Sequence, residues 1–132
     1  MSDDLRERFQ ALPDARRGLH PEIDAAFRFR EVVESPLLVR RQRTTSGGSG
    51  RRVLAGMGQA GERYGYCVVT LLGAMAPRIE WFEDEDGLVR GYNTALEGAH
   101  RLGFWAHPPP PALTREDLVV AVAARVAGSR TL

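Results

Sequence analysis

Apolar residues recur along the chain with two periods, and the switches between them predict its elements. Leu5, Phe9 and Leu12 stand four and three residues apart, on one face of a first helix. Ser2 suits its N-cap, Asp3 and Asp4 complement the positive end of its dipole, and Pro13-Asp14 ends it. Pro21 fits the first position of a second helix, with Glu22 and Asp24 in the opening turn. Ile23, Phe27 and Arg30 extend a helical stripe, whereas Phe27-Arg28-Phe29-Arg30 alternates as a strand does. The stripe predicts helix to about Arg30, with Glu31 to Glu34 as its tail or a transition before Pro36.

Strand patterning follows. Leu37–Thr45 and Arg51–Met57 read as two extended runs joined by Ser46-Gly47-Gly48-Ser49-Gly50, a hairpin with a flexible tip. Gly58 to Gly61 reads as a turn, and Arg63–Leu72 as a strand whose second half is apolar on both faces, hence central. Arg78–Glu83 is a further strand. Asp86-Gly87 then predicts a hairpin turn, with Leu88–Tyr92 as the returning strand. Thr94-Ala95-Leu96-Glu97 matches a capping box for a short helix to Arg101 or Leu102, stopped by Gly103. After the stiff run Pro108–Pro111, Thr114 opens a last helix carrying Leu118, Val119, Val122 and Val126, ended by Gly128. The expected architecture is one α+β domain over residues 1–132. It has an antiparallel sheet of about four to six strands packed against N-terminal and C-terminal helices.

Composition narrows the chemistry. All 18 basic residues are arginine, so a lysine Schiff base and a P-loop lysine are excluded. A lysine-free chain rich in Ala, Gly, Arg and Pro is also what a GC-rich bacterial genome writes. The net charge of +1 calls for neither nucleic acid nor an anionic membrane. The single cysteine, Cys67, sits in a strand and reads as a buried thiol of a reducing compartment. No run approaches the roughly 20 apolar residues of a membrane span. The acidic N-terminus is followed by no apolar run of signal length, so a cytoplasmic protein is expected.

Four constellations are candidates for function. Arg40, Arg41, Arg43, Arg51 and Arg52 crowd both ends of the Gly/Ser loop and predict a cationic ribbon. Its guanidinium forks suit the carboxylates of an acidic protein surface, or phosphates. No aromatic residue lies between Arg40 and Arg52 to stack bases, which ranks a protein partner above nucleic acid. Glu83, Asp84, Glu85 and Asp86 read as an acidic hairpin tip facing a basic partner. The run lacks the alternation of a calcium loop. The opposite charges of segments 40–52 and 80–86 also predict self-contact, as in a homodimer.

His20, His100 and His107 show no helical metal spacing and Cys67 stands alone, so no metal and no cofactor are expected. Gly56-x-Gly58-x-x-Gly61 matches a dinucleotide fingerprint literally, but no helix follows it, and a turn is the better reading. Trp81, Tyr92, His100, Trp105 and His107 are candidate linings of a small-molecule pocket between sheet and helix. The expected function is a non-catalytic binding protein of the adaptor, regulator or toxin-neutralising type, engaging a protein through its charged hairpins. A small-molecule-binding domain or small enzyme is the alternative, and nucleic-acid binding through the arginines ranks third.

Overall fold

Alternation wins over the helical stripe at Phe27-Arg28-Phe29-Arg30, and this sets the first strand. The computed structural model describes residues 2–13, 19–39, 51–73, 75–106 and 111–130. Its elements are helices α1 (Ser2–Ala11) and α2 (Pro21–Asp24), then strands β1 (Arg28–Val39), β2 (Arg51–Ala60), β3 (Arg63–Leu72) and β4 (Arg78–Phe82). Helix α3 (Glu85–Arg101), strand β5 (Phe104–Ala106) and helix α4 (Arg115–Arg130) complete them. The strands form one antiparallel sheet in the order β4-β3-β2-β1-β5. The chain is therefore α+β with helices from both ends, as its patterning predicts. The ribbon tip at 40–50, His107 and prolines 108–110 lie outside the described residues.

Four expectations are corrected. The second helix stops at Asp24 rather than near Arg30; Phe27 and Phe29, two residues apart, are buried in one cluster with Leu54, Cys67 and Val69, a spacing that extended backbone puts on one face and a helix does not. Residues 58–60 belong to β2, and the turn is only Gly61-Glu62, with Gly61 at φ 61°. Asp86-Gly87 is no hairpin and Leu88–Tyr92 no strand: both lie inside α3. Leu88, Tyr92 and Ala99 are buried on one side of that helix, a period of 3.6 that overrides the two-residue turn signal. Finally, α4 runs on past Gly128 to Arg130.

The sheet is apolar on both faces. On the first face Val53, Ala55, Met57, Tyr66 and Val68 pack under α1, α3 and α4, with Phe9, Leu12, Leu88, Tyr92 and Leu118. On the second, Leu54, Cys67, Val69 and Leu71 lie with Phe27 and Phe29, flanked by Leu19, Ile23, Ile79 and Trp81. The literal dinucleotide fingerprint has a packing cause there. A Cβ on Gly56 would stand 2.2 Å from the Arg30 carbonyl oxygen, beside the irregularity between Glu31 and Val33. A Cβ on Gly58 would stand 2.6 Å from the Phe27 ring. The missing side chains let Phe27 lie flat and meet Trp81 edge-on at 5.8 Å between ring centroids.

Helix α3 is seated by a second such contact. A Cβ on Gly91 would lie 2.2 Å from the Phe82 ring, so the helix rests directly on that aromatic. Tyr92, one residue on, hydrogen-bonds the buried Ser35 hydroxyl on β1. Gly91→Ala is therefore expected to destabilise the fold by about 1–3 kcal/mol through overpacking, despite alanine's higher helix propensity. A urea-denaturation cycle with Phe82→Leu should show coupling, because the smaller side chain returns the space.

Candidate functional site

The last residues of β4 and the start of α3 share a tight corner, and a groove of about 820 Å³ opens beside it. α1 supplies Asp4, Leu5 and Arg8; β3 supplies Arg63, Tyr64, Gly65 and Tyr66. Trp81 and Phe82 come from β4, Glu83 to Asp86 from the corner and first turn of α3, and Arg115 from α4. β4 pairs with β3 only from Tyr66 onward, through Tyr66 opposite Phe82. β3 thus runs past its neighbour over Arg63-Tyr64-Gly65, leaving that stretch without a β4 partner and turned toward the groove.

The acidic run is shaped by the helix it starts. Asp84 is extended and caps α3, its Oδ1 accepting from the Gly87 amide at 2.7 Å. Glu85 and Asp86 fill the first turn, where the helix dipole favours negative charge. Asp86 meets Arg115 of α4 at 3.8 Å, and Glu85 meets Arg8 of α1 at 3.3 Å. Arg8 also donates to the Tyr66 hydroxyl and pairs with Asp4 at 3.3 Å. The Tyr66 hydroxyl is the main cause that raises the pKa of Arg8. Burial is the main cause that raises the pKa of Tyr66, against the opposing pull of Arg8. Glu83 is exposed at the rim. The Arg63 guanidinium stacks 4.2 Å over the Trp81 ring, a cation–π contact at the opposite wall.

The candidates named from sequence are distributed unevenly. Glu83, Asp84, Glu85 and Asp86 do stand together, at a helix N-terminus rather than a hairpin tip. Arg40, Arg41 and Arg43 lie outside the described residues. Arg52, expected on an exposed ribbon, is 7% exposed on the second face of the sheet and pairs with Glu34 at 3.7 Å. Arg51 is half-buried beside Gly73. Trp81, Tyr92 and Trp105 do not converge. Trp81 is on β4 at one edge of the sheet and Trp105 on β5 at the other, while Tyr92 lies in the core under α3. His100 is exposed in the last turn of α3. Of the described members of the pocket set, only Trp81 lines the groove.

Sequence reasoning missed Arg8, Tyr64 and Tyr66 as groove residues. The alternation Tyr64, Tyr66, Val68 signals a shared strand face; what brings α1 onto it is long-range packing, with Phe9 edge-on to Tyr64 at 5.5 Å. Among the described residues no three His, Cys, Asp or Glu side chains are grouped to hold a metal ion. No helix among them is long and apolar enough to cross a membrane. No family model, no curated protein and no solved structure matches this chain.

Cys67 lies beneath the second-face aromatics, and burial pushes its thiol from 9.0 up to about 12. Tyr66 and Tyr92 are raised chiefly by burial as well. The folded chain keeps these protons to higher pH than the unfolded chain. Each group's contribution is therefore complete below its unfolded pKa and is lost as pH rises toward the folded one. For Cys67 the window runs from pH 9.0 to about 12. Unfolding free energy from urea titrations should fall across it, by at most about 1.4 kcal/mol per pH unit per proton. Cys67→Ala should flatten the first part of that decline; an unchanged slope would mean that the thiol titrates normally.

Proposed function

We propose that the protein is a non-catalytic binding protein that engages an extended, basic segment of a protein partner, as an adaptor, regulator or toxin-neutralising protein does. The observation that carries this reading is the groove that joins an unpartnered strand edge at 63–65 to an aromatic wall and an acidic rim. An added strand draws affinity from main-chain hydrogen bonds to such an edge and specificity from side-chain pockets beside it. Trp81 and Tyr64 offer flat apolar surface, and Glu83 offers a carboxylate at the mouth.

The ionisable groups inside favour recognition over proton transfer. Arg8 is held by Tyr66, Asp4 and Glu85, Asp84 is spent on the helix cap, and Arg115 pairs with Asp86. Arg40, Arg41 and Arg43, close together in the sequence, carry charge of the opposite preference.

Fluorescence anisotropy with short labelled peptides tests it. Extended peptides carrying arginine and aromatic residues should bind, and acidic peptides of equal length should not bind in the groove. Trp81→Ala and Glu83→Arg should each weaken the basic peptides about tenfold, a loss on the order of 1.4 kcal/mol. If both variants bind like the parent chain, the groove is not the site. The triple change Arg40→Ala, Arg41→Ala, Arg43→Ala should spare those peptides and reduce binding of acidic ones; indifference to both removes the arginines from the reading.

A further inference from the structure

The ionic groups around the groove are unevenly committed. Arg8 is tied to Tyr66, Asp4 and Glu85, Arg115 to Asp86, and Asp84 to the Gly87 amide. Arg63 is different. It is exposed at the start of β3, and among the described residues no carboxylate pairs with it. What holds it is the indole of Trp81. Arg63, Gly65 and Cys67 share one face of β3, and Trp81 stands opposite Cys67. Gly65 carries no side chain, so the indole lies over it and the Arg63 guanidinium reaches the ring at 4.2 Å. Stacking engages the flat face of the guanidinium. Its N–H fork lies in the plane and stays available to an acceptor. Glu83, beside the other end of the free edge, likewise has no cationic partner among the described residues.

We infer that the segment received by the groove is charged at two points: a basic residue that meets Glu83 and, two residues later in its chain, an Asp or Glu carboxylate that meets Arg63. The inference rests on the groove being the binding site and specifies what binds there. Every strand pair in the sheet is antiparallel, so a strand added at 63–65 runs from the Gly65 end toward Arg63. Side chains two residues apart on an extended segment share one side at a spacing of about 6.6 Å, the same step that separates Gly65 from Arg63. The basic residue therefore comes first and the acid second. A carboxylate matches the guanidinium fork with two parallel hydrogen bonds. A dianionic phosphate does not suit the place, because Asp4 and Glu83 to Asp86 line the same groove.

Anisotropy with acetylated, amidated peptides, in which only side chains carry charge, tests this. A basic peptide containing Arg-x-Glu should bind about fivefold more tightly than its Arg-x-Gln counterpart, the effect of one well-formed surface ion pair. Bulk charge predicts the reverse, because acids outnumber arginines around the groove. The order Glu-x-Arg, of the same net charge, and a phosphoserine in place of the glutamate should both bind more weakly than Arg-x-Glu. Arg63→Gln should abolish the preference for glutamate, and Arg63→Glu should turn it toward glutamine, with the circular-dichroism spectrum unchanged. A parent chain that binds Arg-x-Glu and Arg-x-Gln equally, or a preference that survives Arg63→Gln, would overturn the inference and leave the groove in place as a site for basic segments. Equal or tighter binding of the Glu-x-Arg or phosphoserine peptide would overturn it as well. Binding that is indifferent to Trp81→Ala and Glu83→Arg would instead remove the groove itself.

Discussion

The seating of α3 on Phe82 is the contact on which the rest of the molecule turns. Gly91 allows the helix to rest on the ring, Leu88 and Tyr92 enter the core from the same face of the helix, and Tyr92 reaches across to Ser35. This single placement ends β4 at Phe82 and carries the acidic first turn of α3 to the point where β3 still has three residues left to run. Strand edge, aromatic wall and carboxylates meet because one helix starts there. Arg8 and Arg115 then tie α1 and α4 to the same turn.

The second face follows a different rule. Leu54, Cys67 and Val69 are fully buried there, under aromatic rings laid flat on a sheet whose glycines leave room. Gly58 and Gly65 are the floor for Phe27 and Trp81 respectively, with a Cβ on Gly65 standing 3.2 Å from the indole. Trp81 thus has two roles. It closes the second apolar cluster and, with Arg63 stacked on it, forms one wall of the groove. A groove with such a wall is held by the core rather than by a loop, which keeps the ordering cost of binding low.

Much of this architecture was legible in the residues themselves. The stripe Leu5, Phe9, Leu12 and the run Arg63–Leu72 each produced the element expected, because one period dominated locally; Gly103 follows the end of α3 as expected, but that helix begins at Glu85 and not at the Thr94 capping box. Where two signals competed, tertiary burial decided. Phe27 and Phe29 needed a sheet beneath them, and Leu88 and Tyr92 needed one side of a helix. The strand Phe104-Trp105-Ala106 is too short to announce itself and exists through its pairing with Leu37–Val39. The groove was legible only in part. The acids at 83–86 and Trp81 stood out by composition, whereas Arg8, Tyr64 and Tyr66 join them through contacts between residues far apart in sequence.

The central claim is that the free edge of β3 beside the start of α3 receives an extended basic segment. A nuclear magnetic resonance titration of ¹⁵N-labelled protein with an arginine-bearing peptide addresses it directly. Concerted amide shifts at Arg63, Tyr64, Gly65 and Glu83 to Gly87 are the predicted result, with new protection from solvent exchange at those amides of 63–65 that point away from β2. Shifts confined to other surfaces, or edge-facing amides at 63–65 that exchange as fast with peptide as without it, would contradict the account.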